Sequence, residues 1–358
     1  MAGKEIYTSY AAMNKARGQI KKCRIIFTTC IGAGLGLLRL ESFDTVIIDE
    51  ASQQTEPASL VPLVKGCQKA ILVGDHVQLG ATVQRHAVLQ QFDISLFERL
   101  YTQQRAPDVH RKEGCTTSSR LISKIMLDTQ YRMHESICKF SSDEFYESKL
   151  RTGIPNNARP LSASEFPWPS AVSTGNGQAV ASGEKQARML FVECSTREDL
   201  GCKSKANEGQ ANVCYEVCRM LRTEAAGAGT QSRPPATRII DQQFIAVLTP
   251  YSRQVELLKA RLLHFANVEV SSIDGFQGRE ADIVIFVTVR CNTHYEIGFL
   301  KDLRRMNVAL TRSRAAVIVI GNRATLTMGT ADPKSSAVWK RLLGELVEVK
   351  IECKRLCK

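Results

Sequence analysis

The sequence predicts an α/β protein in which helices cover both faces of doubly wound parallel sheets. Short apolar segments, rich in β-branched residues, alternate with helical patterns along the 358 residues. Several of these segments are apolar at consecutive positions, which is typical of parallel strands that are buried on both faces. A polar, loop-like segment at residues 101–120 separates two such regions, so we expect two lobes.

Each predicted element follows from its local pattern. The predicted strands are β-rich apolar runs at residues 24–28, 45–49, 70–73, 189–193, 244–248, 268–272, 283–289 and 317–320. The predicted helices have apolar residues at helical spacing, at residues 54–64, 207–222, 252–265 and 301–311. Residues 152–183 and 225–235 are rich in Pro, Gly and small residues, so we expect irregular structure there. The resulting domain boundaries are a first lobe at residues 1–105, a connection at 106–120 and a second lobe at 121–348.

The composition favours an intracellular protein with a polyanionic partner. The formal net charge is +12, which suits contacts with phosphates, although a merely basic surface would give the same excess. No apolar run reaches the roughly 18 residues that span a bilayer, and the first residues have no signal-peptide pattern, so we expect no membrane association. The twelve cysteines are scattered and no pair has C-x-x-C spacing, which predicts reduced, mostly buried thiols rather than a zinc site.

Two adjacent carboxylates, Asp49 and Glu50, follow the predicted strand at residues 45–49. Ligands of open parallel sheets lie beyond the carboxyl ends of the strands. One carboxylate at such a place can hold Mg²⁺ that is bound to phosphates, and the next can orient or deprotonate water. A solvated acidic pair is the alternative, and this motif alone does not exclude it.

Further polar motifs follow along the chain. The strand at residues 70–73 leads into Gly74-Asp75-His76-Val77-Gln78-Leu79, where the amide of Gln78 can both donate to and accept from a phosphate. Arg132 lies near the start of the second lobe. If residues 301–312 are helical, Arg305 and Arg312 share a helix face. A guanidinium that reaches a phosphate from another lobe stabilises the charge of a transferring phosphoryl group.

Together these motifs resemble those of superfamily 1 helicases, in the branch of the nonsense-mediated-decay RNA helicase and its DNA/RNA relatives. The matching segments keep the family's order over most of the chain: Thr28 to Gly34, Asp49-Glu50-Ala51-Ser52-Gln53, Gly74 to Leu79, Gln130-Tyr131-Arg132-Met133-His134, Thr249-Pro250-Tyr251, Phe276-Gln277-Gly278-Arg279-Glu280 and Asn307 to Arg314. The resemblance implies two RecA-like lobes, the first incomplete at its N-terminus. It also implies an ATP-dependent enzyme in the cytoplasm rather than the nucleus.

The resemblance implies a role for each matching residue. It implies four catalytic residues. Glu50 would activate the attacking water, and the γ-phosphate would be contacted by Gln78, Arg132 and Arg312. Its cofactor-binding residues would be Asp49 for Mg²⁺, and Gly278 and Glu280 for ATP, with Glu280 on the sugar. Its nucleic-acid contacts would be Thr28, Gly32, Thr249, Tyr251, Ser272 and Phe276. The alternatives are a tight turn for Gly278, core packing for Tyr131 and Phe276, and helix packing or capping for Asn307.

The main departure of the sequence from the family is that it contains no phosphate loop of the form G-x-x-x-x-G-K-[ST]. Loss of a lysine at about 4 Å from a phosphate removes about 4 kcal/mol of electrostatic attraction, at an effective dielectric constant of about 20. Three hypotheses therefore stay open. The chain is an ATP-driven helicase core that moves along single-stranded RNA or DNA as a monomer, with mRNA-decay factors among its partners. Alternatively, it is an inactive remnant that binds nucleic acid or a partner helicase, or an incomplete gene model whose phosphate loop is encoded upstream.

Overall fold

The computed structural model describes residues 10–102, 122–161, 164–170, 186–199, 204–223, 243–329 and 331–352. The chain divides into two compact units, residues 1–124 (the N-terminal unit) and residues 125–358 (the C-terminal unit). The predicted connection at residues 106–120 and the segment at 225–235 lie outside the described residues.

The N-terminal unit contains a parallel pair of strands, β1 (Thr45–Ile48) and β2 (Lys69–Leu72). Its helices are α1 (Tyr10–Ile20), α2 (Glu56–Leu63), α3 (Arg85–Val88) and α4 (Leu96–Thr102), with 3₁₀ turns at Gly32–Gly34, Gly36–Leu38 and Ala51–Gln53. The strand β1 buries one face, on which Val46 and Ile48 form a small core with Ala51, whereas Ile47 on the other face is exposed. Arg99 of α4 donates two hydrogen bonds, of 2.8 and 2.6 Å, to Glu56 of α2 and so ties these helices together.

The strand that we predicted at residues 24–28 is wrong. These residues form no strand in the structure, and the side chain of Phe27 is 94% exposed. A strand needs a neighbouring strand to satisfy its backbone groups. Within the described part of this unit, β1 and β2 pair only with each other. An apolar pattern does not show whether a pairing partner exists, which is why the sequence was misleading here.

The C-terminal unit is built on a six-stranded parallel sheet with the order β10–β5–β9–β8–β6–β7. These strands are β5 (Met189–Glu193), β6 (Ile245–Thr249), β7 (Val268–Ser272), β8 (Ala281–Val287), β9 (Ser313–Gly321) and β10 (Val347–Glu348), and a small separate pair is formed by β3 (Thr129–Gln130) and β4 (Arg151–Thr152). The helices are α5 (Glu135–Phe145), α6 (Glu208–Arg222), α7 (Ser252–Leu262), α8 (Leu303–Thr311), α9 (Arg323–Thr327) and α10 (Pro333–Glu345). The strands and helices predicted for this half of the chain are confirmed, with ends shifted by a few residues.

The central strands of this sheet bury both of their faces. Ile283 and Ile285 of β8 belong to a core that includes Val217 of α6 and Leu258 of α7. The ring of Phe286, on the opposite face of β8, lies 5.9 Å from the ring of Trp339 in α10. Helices therefore cover the sheet on both sides, which confirms the doubly wound α/β class.

Two further features of the described residues bear on the sequence predictions. None of their helices is both long and apolar enough to cross a membrane. The described cysteines are free thiols, and Cys138, Cys194, Cys214, Cys218 and Cys291 are buried. Burial raises the pKa of the Cys138 thiol and so keeps it protonated.

Candidate nucleotide and nucleic-acid sites

Asp49 and Glu50 form a tight turn directly after β1, which we call the acidic turn. The backbone of Glu50 is left-handed, with φ 51° and ψ 40°. Its N–H donates to Asp49 Oδ1 at 3.0 Å, and its Oε2 accepts from Gln53 Nε2 at 2.7 Å. Left-handed backbone costs a non-glycine residue about 1–2 kcal/mol, and such strain clusters at functional sites. Both carboxylates are exposed, and carboxylate oxygens are preferred Mg²⁺ ligands, so Asp49 fits the implied metal role.

The turn after β2 packs against the acidic turn. The N–H of Asp75 donates to Ser52 Oγ at 3.3 Å. A Cβ atom on Gly74 would lie 2.9 Å from Ser52 N, so this close approach requires glycine. Asp75 Oδ2 accepts from Gln78 Nε2 at 2.6 Å and orients the amide of that side chain. Gln78 therefore lies on the strand-end turn next to the acidic turn, as the pairing of two parallel strands requires.

The two residues of the N-terminal unit that are predicted to contact nucleic acid, Thr28 and Gly32, lie together in one loop. A Cβ atom on Gly32 would lie 2.6 Å from Thr28 Oγ1, so the hydroxyl fills the space that a side chain would need. The N–H of Gly32 donates to Thr29 Oγ1 at 3.0 Å. Thr28 is exposed, so the loop offers a hydroxyl group to a ligand.

In the C-terminal unit, residues predicted to bind the nucleotide gather where β8 and β9 begin, an end of the sheet that we call the amino edge. Glu280 precedes β8 and accepts from Arg132 Nε at 2.7 Å and from Arg314 Nε at 3.1 Å. Arg314 first, and then Arg132, hold the pKa of this carboxyl below its usual range. Arg312 precedes β9 and is buried, and its carbonyl accepts from the N–H of Ala281 at 2.9 Å. The amino edge thus carries two guanidinium groups on the carboxylate of Glu280, and Arg312 at the start of the next strand.

The backbone on either side of this cluster is tightly held. Gln130 Oε1 accepts from the N–H of Arg132 at 2.8 Å and of Met133 at 2.7 Å, which fixes the turn that presents Arg132. Gln130 was not among the predicted site residues, although its position two residues before Arg132 is a signal that indicates this positioning role. Gly278 has φ +75°, with no atom within 4 Å of an added Cβ, so backbone conformation rather than space selects glycine.

Thr249, Tyr251 and Ser272 lie at the opposite end of the sheet, the carboxyl edge, where β6 and β7 end. Thr249 and Tyr251 are buried, and the Tyr251 hydroxyl accepts from Arg290 Nη1 at 3.5 Å and from the N–H of Phe299 at 3.3 Å. Ser272 is partly exposed, and its Oγ accepts from the N–H of Gly275 at 3.0 Å. In this unit, therefore, the residues predicted to bind the nucleotide lie at one edge of the sheet, and Thr249, Tyr251 and Ser272, predicted to contact nucleic acid, lie at the opposite edge.

Phe276 lies on residues 273–280, the segment that joins β7 to β8. Because β7 and β8 are both parallel to β6, this segment crosses from the carboxyl edge to the amino edge. The ring of Phe276 is fully buried, 6.4 Å from the ring of Phe244, and the Arg279 guanidinium lies 4.6 Å from its centre. The structure therefore supports the core-packing alternative for Phe276, since its ring has no exposed surface with which to contact a strand.

Arg305, expected to share a helix face with Arg312, has a different task. It donates to both carboxylate oxygens of Asp274 at 3.0 Å and to Asp302 at 2.7 Å. It therefore fastens residues 273–280 to the start of α8, whereas Arg312 follows the end of that helix. Seven residues of α-helix separate the two arginines by about 10 Å along the axis.

Two family models, each described as an AAA domain, match residues 3–86 and 92–324 of the chain. The ATP-dependent helicase NAM7 of Saccharomyces cerevisiae is 32% identical over 94% of this chain and 31% of its own length. A Regulator of nonsense transcripts 1 homolog of Drosophila melanogaster is 33% identical, over 89% of this chain and 24% of its own. The DNA polymerase alpha-associated DNA helicase A of Schizosaccharomyces pombe is 34% identical, over 89% of this chain and 43% of its own. The chain thus spans less than half the length of these relatives.

Proposed function

The chain belongs to the superfamily 1 helicases of the nonsense-mediated-decay type, an enzymatic family of AAA-domain proteins, and we propose that it couples hydrolysis of Mg²⁺-bound ATP to movement along single-stranded nucleic acid. The observation that carries this proposal is the amino edge of the C-terminal unit. There Arg132 and Arg314 share the carboxylate of Glu280, and Arg312 lies at the start of the neighbouring strand. Guanidinium groups gathered at one edge in this way suit a polyphosphate ligand.

Each residue acts by chemistry that its side chain already offers. The exposed carboxylate of Glu50 accepts a proton from the attacking water, and Gln78 contacts the γ-phosphate. Asp49 would hold Mg²⁺, which would neutralise charge on the phosphate oxygens. Arg132 and Arg312 stabilise the charge that spreads over the transferring phosphoryl group. Glu280 accepts a hydrogen bond from the nucleotide sugar.

The strand is bound mainly through its phosphates, so binding has weak sequence preference and extends to both RNA and DNA. The net charge of +12 supports this view. The names of the relatives, which include both a regulator of nonsense transcripts and a DNA helicase, support both kinds of strand. Our narrower proposal is a monomer that acts in cytoplasmic RNA surveillance with mRNA-decay factors.

ATP hydrolysis stimulated by single-stranded RNA tests this function. The wild-type chain is compared with the double variant Asp49→Ala/Glu50→Ala and with Glu41→Ala/Asp44→Ala, which removes the same charge from the same unit outside the acidic turn. We expect stimulated hydrolysis in the wild type and in the control, and its loss in the acidic-turn variant. Equal rates in all three proteins would contradict the proposal.

A second candidate function applies to these 358 residues taken alone, which contain no G-x-x-x-x-G-K-[ST] motif: a module that binds nucleic acid or a partner helicase without catalysis. A fluorescent ATP analogue separates the candidates. A chain that binds single-stranded RNA but neither binds nor hydrolyses the nucleotide would have this second function.

A further inference from the structure

Charged and polar groups form a buried network at the carboxyl edge of the C-terminal unit. Arg290, which follows β8, donates through Nε to Glu198 Oε2 at 2.9 Å, and both side chains are buried. The same oxygen accepts from the N–H of Cys291 at 2.8 Å. Arg290 Nη1 also donates to the hydroxyl of Tyr251. A buried ion pair seldom stabilises a fold more than apolar packing would, so its value here lies in the groups that it positions.

The network holds one surface loop, residues 292–299. The side chain of Asn292 closes this loop, because its Nδ2 donates to the carbonyl of Glu296 and its Oδ1 accepts from the N–H of the same residue, both at 2.9 Å. At the other end, the N–H of Phe299 donates to the Tyr251 hydroxyl. Gly298 has φ +56°, and a Cβ atom there would lie 2.7 Å from that hydroxyl. The loop can therefore pass over Tyr251 only with glycine at position 298.

This rigid loop presents aromatic rings to solvent. Phe299 is 54% exposed, and its ring centre lies 5.5 Å from that of the buried Tyr251. Tyr295 of the same loop is also exposed. Exposed aromatic faces at a fixed position are the surfaces on which proteins stack unpaired bases, because every base has a π-face. The loop follows β8, so it lies at the edge where Thr249 ends β6, the neighbour of β8, and Ser272 ends β7, the next strand along.

We propose that Phe299 is a stacking site for an unpaired base of single-stranded nucleic acid, and that Tyr251, Arg290 and Glu198 are its positioning residues. This inference rests on the proposed function and deepens its strand-binding part. Tyr251, which the sequence predicts to contact the strand, then acts through its hydroxyl on the backbone of Phe299. The exposed ring makes the contact that the buried one cannot make.

Paired strands that differ only in their bases test this proposal. Fluorescence anisotropy at fixed salt compares an oligouridylate with an abasic strand of equal length and charge, each made in RNA and in DNA form. Phe299→Ala should lower the affinity for the base-bearing strand by about tenfold, which is within the value of one stacked base, and should leave the abasic affinity unchanged. Phe299→Trp should retain the wild-type preference for bases. Tyr251→Phe, which removes only the hydroxyl, should act in the same direction as Phe299→Ala but less strongly.

The matched control is Leu263→Ala, which truncates a side chain that is 85% exposed at the end of α7. It should bind both strands as the wild type does. The proposal is overturned if Phe299→Ala binds the base-bearing strand as tightly as the wild type, or if it loses both strands equally while its melting curve is unchanged. A wild-type chain that binds neither strand would instead refute the proposed function. If Phe299→Ala lowers the affinity only for the base-bearing RNA, the ring stacks on RNA bases. If it lowers the affinity for base-bearing RNA and DNA alike, the ring stacks on bases of both.

Discussion

Replacement of His134 by asparagine should remove much of the acid sensitivity of the C-terminal unit. His134 is the N-cap of α5, and its Nδ1 accepts from the N–H of Ser136 at 3.2 Å. Its side chain is buried, and this burial, together with the nearby charge of Arg188, lowers the pKa of the imidazole to about 4. The ring is therefore neutral in the folded protein at neutral pH. A protonated ring could no longer accept the capping hydrogen bond.

The magnitude follows from the two pKa values. An unfolded histidine titrates near 6.5, so the shift to about 4 corresponds to about 3 kcal/mol. Between these values the unfolded chain binds more protons than the folded one, so the free energy of unfolding falls as the pH falls. Above about pH 6.5 both states are neutral at this residue and the penalty is absent. Between about pH 7.5 and about pH 5 the loss should amount to about 2 kcal/mol.

Urea unfolding followed by tryptophan fluorescence measures this loss. The two tryptophans of the chain, Trp168 and Trp339, both lie in the C-terminal unit, and Trp339 is fully buried, so the signal reports this unit. The variant His134→Asn keeps an oxygen that can accept the capping hydrogen bond but cannot be protonated. If the wild type and this variant lose equal free energy between the two pH values, the buried histidine is not the acid-sensitive group.

Three further predictions concern the units and the strand. In hydrogen exchange, residues 20–100 should be less protected than residues 240–325, because the described core of the N-terminal unit is small, and equal protection would contradict this. Gly74→Ala should destabilise the N-terminal unit by about 1–3 kcal/mol, because the added Cβ atom would meet backbone atoms. Gly18→Ala is the control and should not destabilise the unit, because its Cβ atom would meet nothing within 4 Å. Hydrogen-exchange rates near β1 measure both effects. Strand affinity should fall on the order of a thousandfold between about 50 and about 200 mM salt, and an affinity insensitive to salt would exclude phosphate contacts.

The sequence predicted the large sheet well because its central strands are continuous apolar runs, and such runs have few other stable places in a fold. β9 nevertheless begins at Ser313, four residues before the predicted start at residue 317, because pairing with β8 extends it through residues that are not strongly apolar. The helices α5 and α10 were not predicted. Each begins at a capping side chain, His134 and Asp332, that receives a backbone N–H.

Topology explains why two residues of the candidate site lie near each other. Residues that follow neighbouring parallel strands meet at one edge, so Glu50 and Gln78 lie on adjacent turns. The sequence did not predict which of these side chains are buried. Thr249 and Tyr251 are both buried, and the loop at residues 292–299 passes over Tyr251, whose hydroxyl accepts from Arg290 and from the N–H of Phe299. Arg290 also belongs to a buried ion pair between residues 92 positions apart, which no local pattern reveals.

Two short connections join the edges of the large sheet. Residues 273–280 start at the carboxyl edge, where Asp274 is held by Arg305, and end at Glu280, which Arg132 and Arg314 hold at the amino edge. The helix α8 takes a similar path, since Arg305 lies near its start and Arg312 follows its end. Asp274 is therefore linked to Glu280 through residues 273–280, and to Arg312 through Arg305 and the helix α8. These connections therefore join the predicted nucleic-acid contacts to the predicted nucleotide contacts, although the two sets of residues lie on opposite edges.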